Sequence, residues 1–552
     1  MARRLPAQGL GQDSVLCPRR DRQGIAGDFA MKEKFTIAAV SALACFAGGC
    51  VSVDSEVAPA PSRYWKAPQD AVPERVIQPE DIKTDKIASP EDGGEGGVSD
   101  GQKGAASAGA AQKPKIELSA AEKLQAGKEL ALDDLVDLAL ENNTQTRIYW
   151  FQAKSYAAQK GSAMAAYYPQ VSVGAQVYRS KIRPSLGYGG SSIPVGTYYE
   201  TGFGPSAEIS WMLFDFGKRE AQVESAQNAL LAANFDYNQT IQDVVLNVAV
   251  AYYDFYSACG NVESAKLSLD EARTAYESAK ARFDQSVGNK QDMLNALANA
   301  KNAEFVLEQA RSSVETARAN LAQVLGVRVG PNFVVSAEAV VPSSPETSKK
   351  IDELVAKAMR SRQTLLASYA RLAKSASDVK AAERDFLPEI GAFGQFSYTD
   401  YTDDSRGHQD TYTGGFSLSW SIFEGFARKY ALLNARAAER AQAQQLKAAE
   451  IQIISDVWNY YHKYSSSVKQ VASATAAVEA SVEAFNATKV AYENGVSNIT
   501  EFLNAQSRLA TARQQKVSAE ASLSVSIAQL AHATGSLTAN IPGDEELASI
   551  QK

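Results

Sequence analysis

Histidine is nearly absent from the 552 residues: His408, His462 and His532 are the only three. They stand far apart, with no cysteine or acid at metal-ligand spacing, so no metal site is expected. Cysteine is almost as scarce, at Cys17, Cys45, Cys50 and Cys259. The first two precede a candidate export cleavage point, and the remaining pair does not make a disulfide framework. Basic residues are outnumbered, 56 Lys and Arg against 63 Asp and Glu, for a net charge of -7. Such a balance gives no positive field for nucleic acid, which is excluded as a partner. No nucleophile elbow, P-loop, zinc motif or paired-acid arrangement occurs, so an enzyme is not expected and no cofactor is implied. Proline is missing from residues 218–287 and 427–496, where nothing therefore interrupts a helix.

What is present begins with an export signal. Lys32 and Lys34 precede a short apolar run, Phe35–Ala47 (FTIAAVSALACFA), too short to stay as a membrane-spanning helix. The 30 residues before Met31 are Arg-rich and lack an apolar run, which favours Met31 as the true start. Residues 1–49 are thus read as the signal region. Ala47-Gly48-Gly49-Cys50 resembles the lipobox of bacterial lipoproteins, although that pattern usually carries Leu where Ala47 stands. Cys50 is the expected lipidated residue; ordinary cleavage nearby with Cys50 incidental is the alternative. Residues 50–115 are rich in Pro, Ala, Gly, Ser and Asp and read as a flexible tether, with Tyr64 and Trp65 as its only candidate anchors.

After the tether the sequence repeats itself. Leu132–Asn143 (LDDLVDLALENN) matches Ile351–Arg362 (IDELVAKAMRSR), and Pro169 matches Pro388, both at an offset of 219. Beyond the next loop the offset falls to 209: Trp211–Asp215 matches Trp420–Glu424, and Leu294-Asn295-Ala296 matches Leu503-Asn504-Ala505. The loop after the first strand is therefore about ten residues longer in the first copy. The chain divides into repeat one (116–330), a connector (331–350), repeat two (351–537) and a tail (538–552).

Within each copy, period-two alternation marks strands at 170–180 and 205–215, then 388–399 and 412–423. In the last, Tyr412, Phe416, Leu418, Trp420 and Ile422 share one side, and Thr413, Ser417, Ser419 and Ser421 the other. Strands of this length suit a tilted membrane crossing, or a sheet packed on a soluble core. Helical pattern follows at 218–287 and 427–496, each about 70 residues and so roughly 100 Å of rod. Three-four spacing of Val262, Ala265, Leu269, Ala272, Tyr276, Ala279 and Phe283 marks a coiled-coil seam. Repeat two keeps that register from Val471 to Tyr492. Each rod turns back at a short segment, Val287-Gly288-Asn289 or Gly495-Val496-Ser497, into a shorter helix (291–326 or 499–535).

Paired strands with long helical hairpins, occurring twice behind a signal peptide, resemble the TolC-like outer membrane factor family, and the lipobox with its tether resembles the lipoprotein branch. The resemblance implies a mixed α and β fold: a trimeric 12-stranded transmembrane β-barrel continued by a long periplasmic α-helical coiled-coil barrel. It implies a passive exit duct for efflux or type I secretion in the outer membrane, with a periplasmic adaptor and an inner-membrane transporter as partners. It also implies that Asp292 and Asn295, with Glu501 and Asn504, line the pore constriction, and that Val287, Gly288, Asn289, Gly495, Val496 and Ser497 are the tips an adaptor grips. Family members often carry a basic latch residue where Ser497 stands, so the latch here must differ. Read without the resemblance, Asp292 and Glu501 are solvated acids in the first turn of a helix, and a periplasmic coiled-coil adaptor is the competing class.

Overall fold

The structure is a computed structural model that describes residues 56–66, 130–188, 191–194, 196–327, 335, 350–402 and 407–537. The signal region, Cys50 and the tail lie outside the described residues, as does the connector apart from Val335 and Lys350. In repeat one, α1 (Leu132–Asn142) and α2 (Thr144–Met164) lead into β1 (Gln170–Ile182). A small hairpin, β2 (Ser185–Tyr188) and β3 (Ser191–Pro194), precedes β4 (Tyr198–Phe214), α3 (Lys218–Asp284) and α4 (Lys290–Leu325). Repeat two supplies α5 (Ile351–Ser361), α6 (Gln363–Arg384), β5 (Glu389–Tyr401), β6 (His408–Ser419), α7 (Ala427–Glu493) and α8 (Ile499–Ala533). The β2–β3 hairpin occupies the extra length of repeat one's first loop.

The four long strands form one antiparallel sheet in the order β1-β4-β5-β6. Its register sorts the side chains by polarity. Val171 stands opposite Ile209 and Val177 opposite Phe203, while Phe396 stands opposite Tyr412 and Ala392 opposite Phe416. The other face aligns Ser172 with Glu208, Glu208 with Gln395 and Gln395 with Thr413. No helix covers the apolar side: Val177 and Phe416 are each 79% exposed. A sheet on a soluble core would bury that side, and among the described residues nothing does.

The last strand ends at Ser419, four residues short of the expected 423, because β5 begins at Glu389 directly after Pro388 and the ladder has no further partner. Trp420 and Ile422 are consequently outside the strand. The Trp420 indole donates to the Phe386 carbonyl (3.1 Å), as the Trp211 indole does to the Tyr167 carbonyl (3.0 Å).

Each sheet-to-rod corner passes through two left-handed residues, Phe216 (φ 54°) with Gly217 (85°), and Gly425 (60°) with Phe426 (67°). An arginine four positions after an acid holds each corner. Arg219 pairs with Asp215 (3.0 Å) and donates to the Met212, Leu213 and Ala166 carbonyls. Arg428 pairs with Glu424 (2.6 Å) and donates to the Ser421 carbonyl. These forks satisfy carbonyls that leave the ladder before the helix can use them.

The rods stop at Asp284 and Glu493, three residues short of expectation, where Ser286 (φ 62°) and Gly495 (φ 74°) turn left-handed. The predicted seam is buried or half-buried in both rods except at Phe283, which is 37% exposed. Although α3 and α7 both have 67 residues, they are buried very differently. α3 packs into the main core through Phe235, Tyr237, Ile241, Tyr252 and Tyr253. α7 buries only Leu446, Ile453, Val457, Ser467, Phe485 and Tyr492, leaving Ile451 and Trp458 open to solvent.

Residues 56–66, within the expected tether, are a docked strap. Val57 packs with Ala153, Ala157 and Leu230, and Trp65 lies edge-on to Phe235 at 5.5 Å. The Asn238 side chain accepts from the Trp65 amide (2.8 Å) and donates to its carbonyl (2.9 Å), as a strand neighbour would. Asn234 donates to the Glu56 carbonyl, Trp150 to that of Ala58, and Tyr237 to that of Arg63. Composition hid this because two aromatics and borrowed hydrogen bonds suffice to order the segment. Asn238→Leu, which leaves both backbone groups of Trp65 without partners, is expected to cost about 2–4 kcal/mol and to make the strap protease-sensitive. Limited proteolysis with denaturant melting checks this, and an unchanged cleavage pattern would contradict the docking.

Candidate functional site at the helical tips

The turns joining α3 to α4 and α7 to α8 have the same backbone logic. The Arg282 carbonyl accepts from the amides of Val287 and Gly288 (both 3.0 Å), and the Ala491 carbonyl accepts from Val496 (2.8 Å) and Ser497 (3.2 Å). Gly495 occupies a left-handed position, which glycine adopts without steric cost. Gly288 does not: the left-handed residue of that turn is Ser286. A side chain at Gly288 would instead press on the Arg282 backbone, with a Cβ 3.2 Å from its carbonyl carbon. Val287, Asn289, Val496 and Asn498 are exposed at the tips.

Asparagine caps each return helix. Asn289 accepts from the Asp292 amide (3.0 Å) and Asn498 from the Glu501 amide (2.8 Å). Asp292 and Glu501 therefore stand at the third position of a capped helix, where an acid complements the free amides and the dipole. Ser497, which takes the place of the family's basic latch residue, donates its hydroxyl to the Glu501 carboxylate at 2.6 Å within the same turn. Asn295 and Asn504 are exposed one turn further along.

The structure brings the two tips of one chain together through a residue that sequence reading missed. Arg282 donates to the Glu493 carbonyl (2.7 Å) and lies over the Tyr492 ring at 4.7 Å. Tyr492 stacks on Phe502 at 5.4 Å, and Phe502 stacks on Phe485 at 5.5 Å. Burial pushes the Tyr492 phenol up; the Arg282 charge opposes this, and the Asp292 carboxylate adds to it. Asp292 thus acts on repeat two's tip as well as its own. Two further ties lie higher up: Asn299 to Gln506 (2.9 Å) and Arg513 to Glu271 (3.0 Å). The available signal was a break in the duplication: at offset 209, Arg282 falls on Ala491.

Comparison with known proteins decides the family. The profile of the outer membrane efflux protein family matches residues 135–327 and 354–536. The chain belongs to that family. Protein CyaE of Bordetella pertussis is 29% identical over 430 residues, covering 75% of this chain and 86% of that protein. Outer membrane protein TolC of Vibrio cholerae is 23% identical, covering 60% of this chain and 74% of the relative. Among solved structures, the outer-membrane channel OprN superposes with a TM-score of 0.65 at 21% identity, over 76% of this chain and 96% of that one. The two matched segments of this efflux-family protein are its two strand-and-hairpin halves.

Arg282→Ala removes one charge-assisted bond and one cation–π contact, about 1–2 kcal/mol together at an exposed site. Amide hydrogen exchange is expected to speed up at 491–498 while the core near Tyr237 stays protected. Unchanged exchange at the tip would show that Arg282 ties nothing.

Proposed function

We propose that three copies of this chain close into a 12-stranded barrel in the outer membrane. Their rods continue it as a helical tunnel across the periplasm, so that the assembly is a passive exit duct for efflux or type I secretion. The observation that carries this reading is the four-stranded sheet: apolar and exposed on one face, polar on the other, with β1 and β6 left as open edges. Backbone groups on an open edge are not tolerated in lipid, and four strands cannot close alone. Polar residues such as Glu208 and Gln395 then face a wet lumen and the valine and aromatic face meets hydrocarbon. The bare α7 face supports closure too, since a neighbouring copy would cover Ile451 and Trp458.

A duct has no energy source, so an inner-membrane transporter must supply it and a periplasmic adaptor must grip the tips. Membership of the efflux family and resemblance to CyaE and TolC favour this channel over a coiled-coil adaptor, which needs no lipid-facing strands. The same features favour transport over catalysis. Lipidation at Cys50 fits the strap: Cys50 lies six positions before Glu56, a reach of at most about 20 Å. The Lys160–Glu56 ion pair puts the strap's start on the last turns of α2, beside β1. The intact mass of the mature protein would reveal the acyl chains, and an unmodified Cys50 would refute them.

Under three-fold symmetry Asp292 and Glu501 form rings of three carboxylates at the periplasmic mouth, which favour cations. A trimer reconstituted in a planar bilayer is expected to show small, cation-preferring conductance. Glu501→Gln with Asp292→Asn should shift the reversal potential in a salt gradient toward zero and leave the trimer intact, and Asn504→Asp should shift it the other way. If the double variant keeps wild-type selectivity, the acids are only solvated charges at the helix start. A protein that stays monomeric in detergent would refute the channel itself.

A further inference from the structure

The apolar face of β1 ends in positive charge. Val171, Val173 and Val177 lie on that face, and the next residues at the same spacing are Arg179 and Lys181, both exposed. Arg183 follows two positions beyond, also exposed. The Tyr199 ring of β4, directly opposite Lys181, lies beneath two of these cations: the Arg179 guanidinium is 5.3 Å and the Lys181 ammonium 5.4 Å from its centre. Glu200 belongs to the opposite face, where it accepts from the Tyr178 hydroxyl. Among the described residues of the sheet, the carboxylates on the charged face are Asp400 and Asp410, which the strand order places two and three strands away from β1.

Depth is set by counting along the strand. Arg179 lies nine residues past Gln170, about 30 Å of strand at roughly 3.3 Å each, or about 23 Å along the membrane normal at a tilt near 40°. The apolar band of such barrels is about 25 Å tall. Resting on the barrel reading above, the cluster therefore emerges at the outer edge of the band, at headgroup level. Edge-to-edge closure would bring one carboxylate, Asp410 of an adjacent β6, toward the patch. Among the described residues one acid then faces three cations, which leaves positive charge toward the lipid.

We propose that Arg179, Lys181 and Arg183, backed by Tyr199, form a binding site for a phosphate on the headgroup of an outer-leaflet lipid, one site per chain. The guanidinium forks grip phosphate oxygens bidentately, Lys181 adds a point charge, and the tyrosine holds two of the cations in place. The site gives the barrel a fixed depth and a fixed lipid shell.

The test uses native mass spectrometry of the full-length trimer in mild detergent, titrated with a bis-phosphorylated glycolipid or with its dephosphorylated form. The wild type is expected to retain up to three phosphorylated lipids per trimer and at least tenfold fewer dephosphorylated ones. Replacing all three cations with Gln should give the same tenfold loss with the trimer intact, and Asp410→Asn should leave retention unchanged or higher. Equal retention of the two lipids by the wild type would overturn the proposal, and that comparison stands even if the triple variant fails to assemble. Dissociation of the trimer in both the triple variant and Asp410→Asn would also overturn it, by showing that the cations are spent on the seam between copies. A wild type seen only as monomer would refute the barrel reading separately, with lipid per chain still deciding the site.

Discussion

The two bare edges of the sheet are the constraint on which everything else rests. Among the described residues, β1 and β6 each offer a row of backbone donors and acceptors with no strand partner, and the face between them is apolar and uncovered. Water could satisfy the edges but not the face, whereas lipid could satisfy the face but not the edges. The proposed pairing of one copy's β1 with another copy's β6, inside a membrane, answers both. In the proposed barrel, a ring of strands would hand each rod on at a fixed spacing. The Asp215–Arg219 and Glu424–Arg428 corners make that hand-over without stranding carbonyls.

Polarity and charge divide the labour along the length of the molecule. In the sheet, the register separates a hydroxyl- and carboxamide-lined face from a valine and aromatic one. In the rods, small seam residues such as Ala265 and Ala272 allow close helix packing, and Gly260 admits the Val517 side chain. At the tips the packing becomes aromatic, with Phe485, Tyr492 and Phe502 stacked under Arg282. Asp292, in the first turn of the helix that Asn289 caps, also raises the Tyr492 phenol with its charge, so one residue serves both the helix start and the neighbouring hairpin.

Much of this architecture was legible in the sequence because duplication and periodicity report backbone geometry directly. Both rods and both turns lie within a few residues of where three-four spacing puts them, and the strands coincide with the alternation except at three ends: β4 begins at Tyr198 rather than 205, and β6 runs from His408 to Ser419 rather than from 412 to 423. What escaped was information held in single contacts. The strap depends on Asn238 imitating a strand neighbour of Trp65, and no composition window sees that. Arg282 looks like any surface arginine of a coiled coil until the fold sets Glu493 and Tyr492 beside it. The end of β6 was set by its neighbour, since Pro388 limits where β5 begins.

Amide hydrogen exchange across the four long strands, in the detergent-solubilised protein, tests closure most directly. If copies pair edge to edge, the amides of β1 and β6 will be as slow as those of β4 and β5, and dissociating the assembly will release the outer two strands first. If β1 and β6 exchange fast at alternate residues while β4 and β5 stay protected, the edges are open and the barrel is not formed.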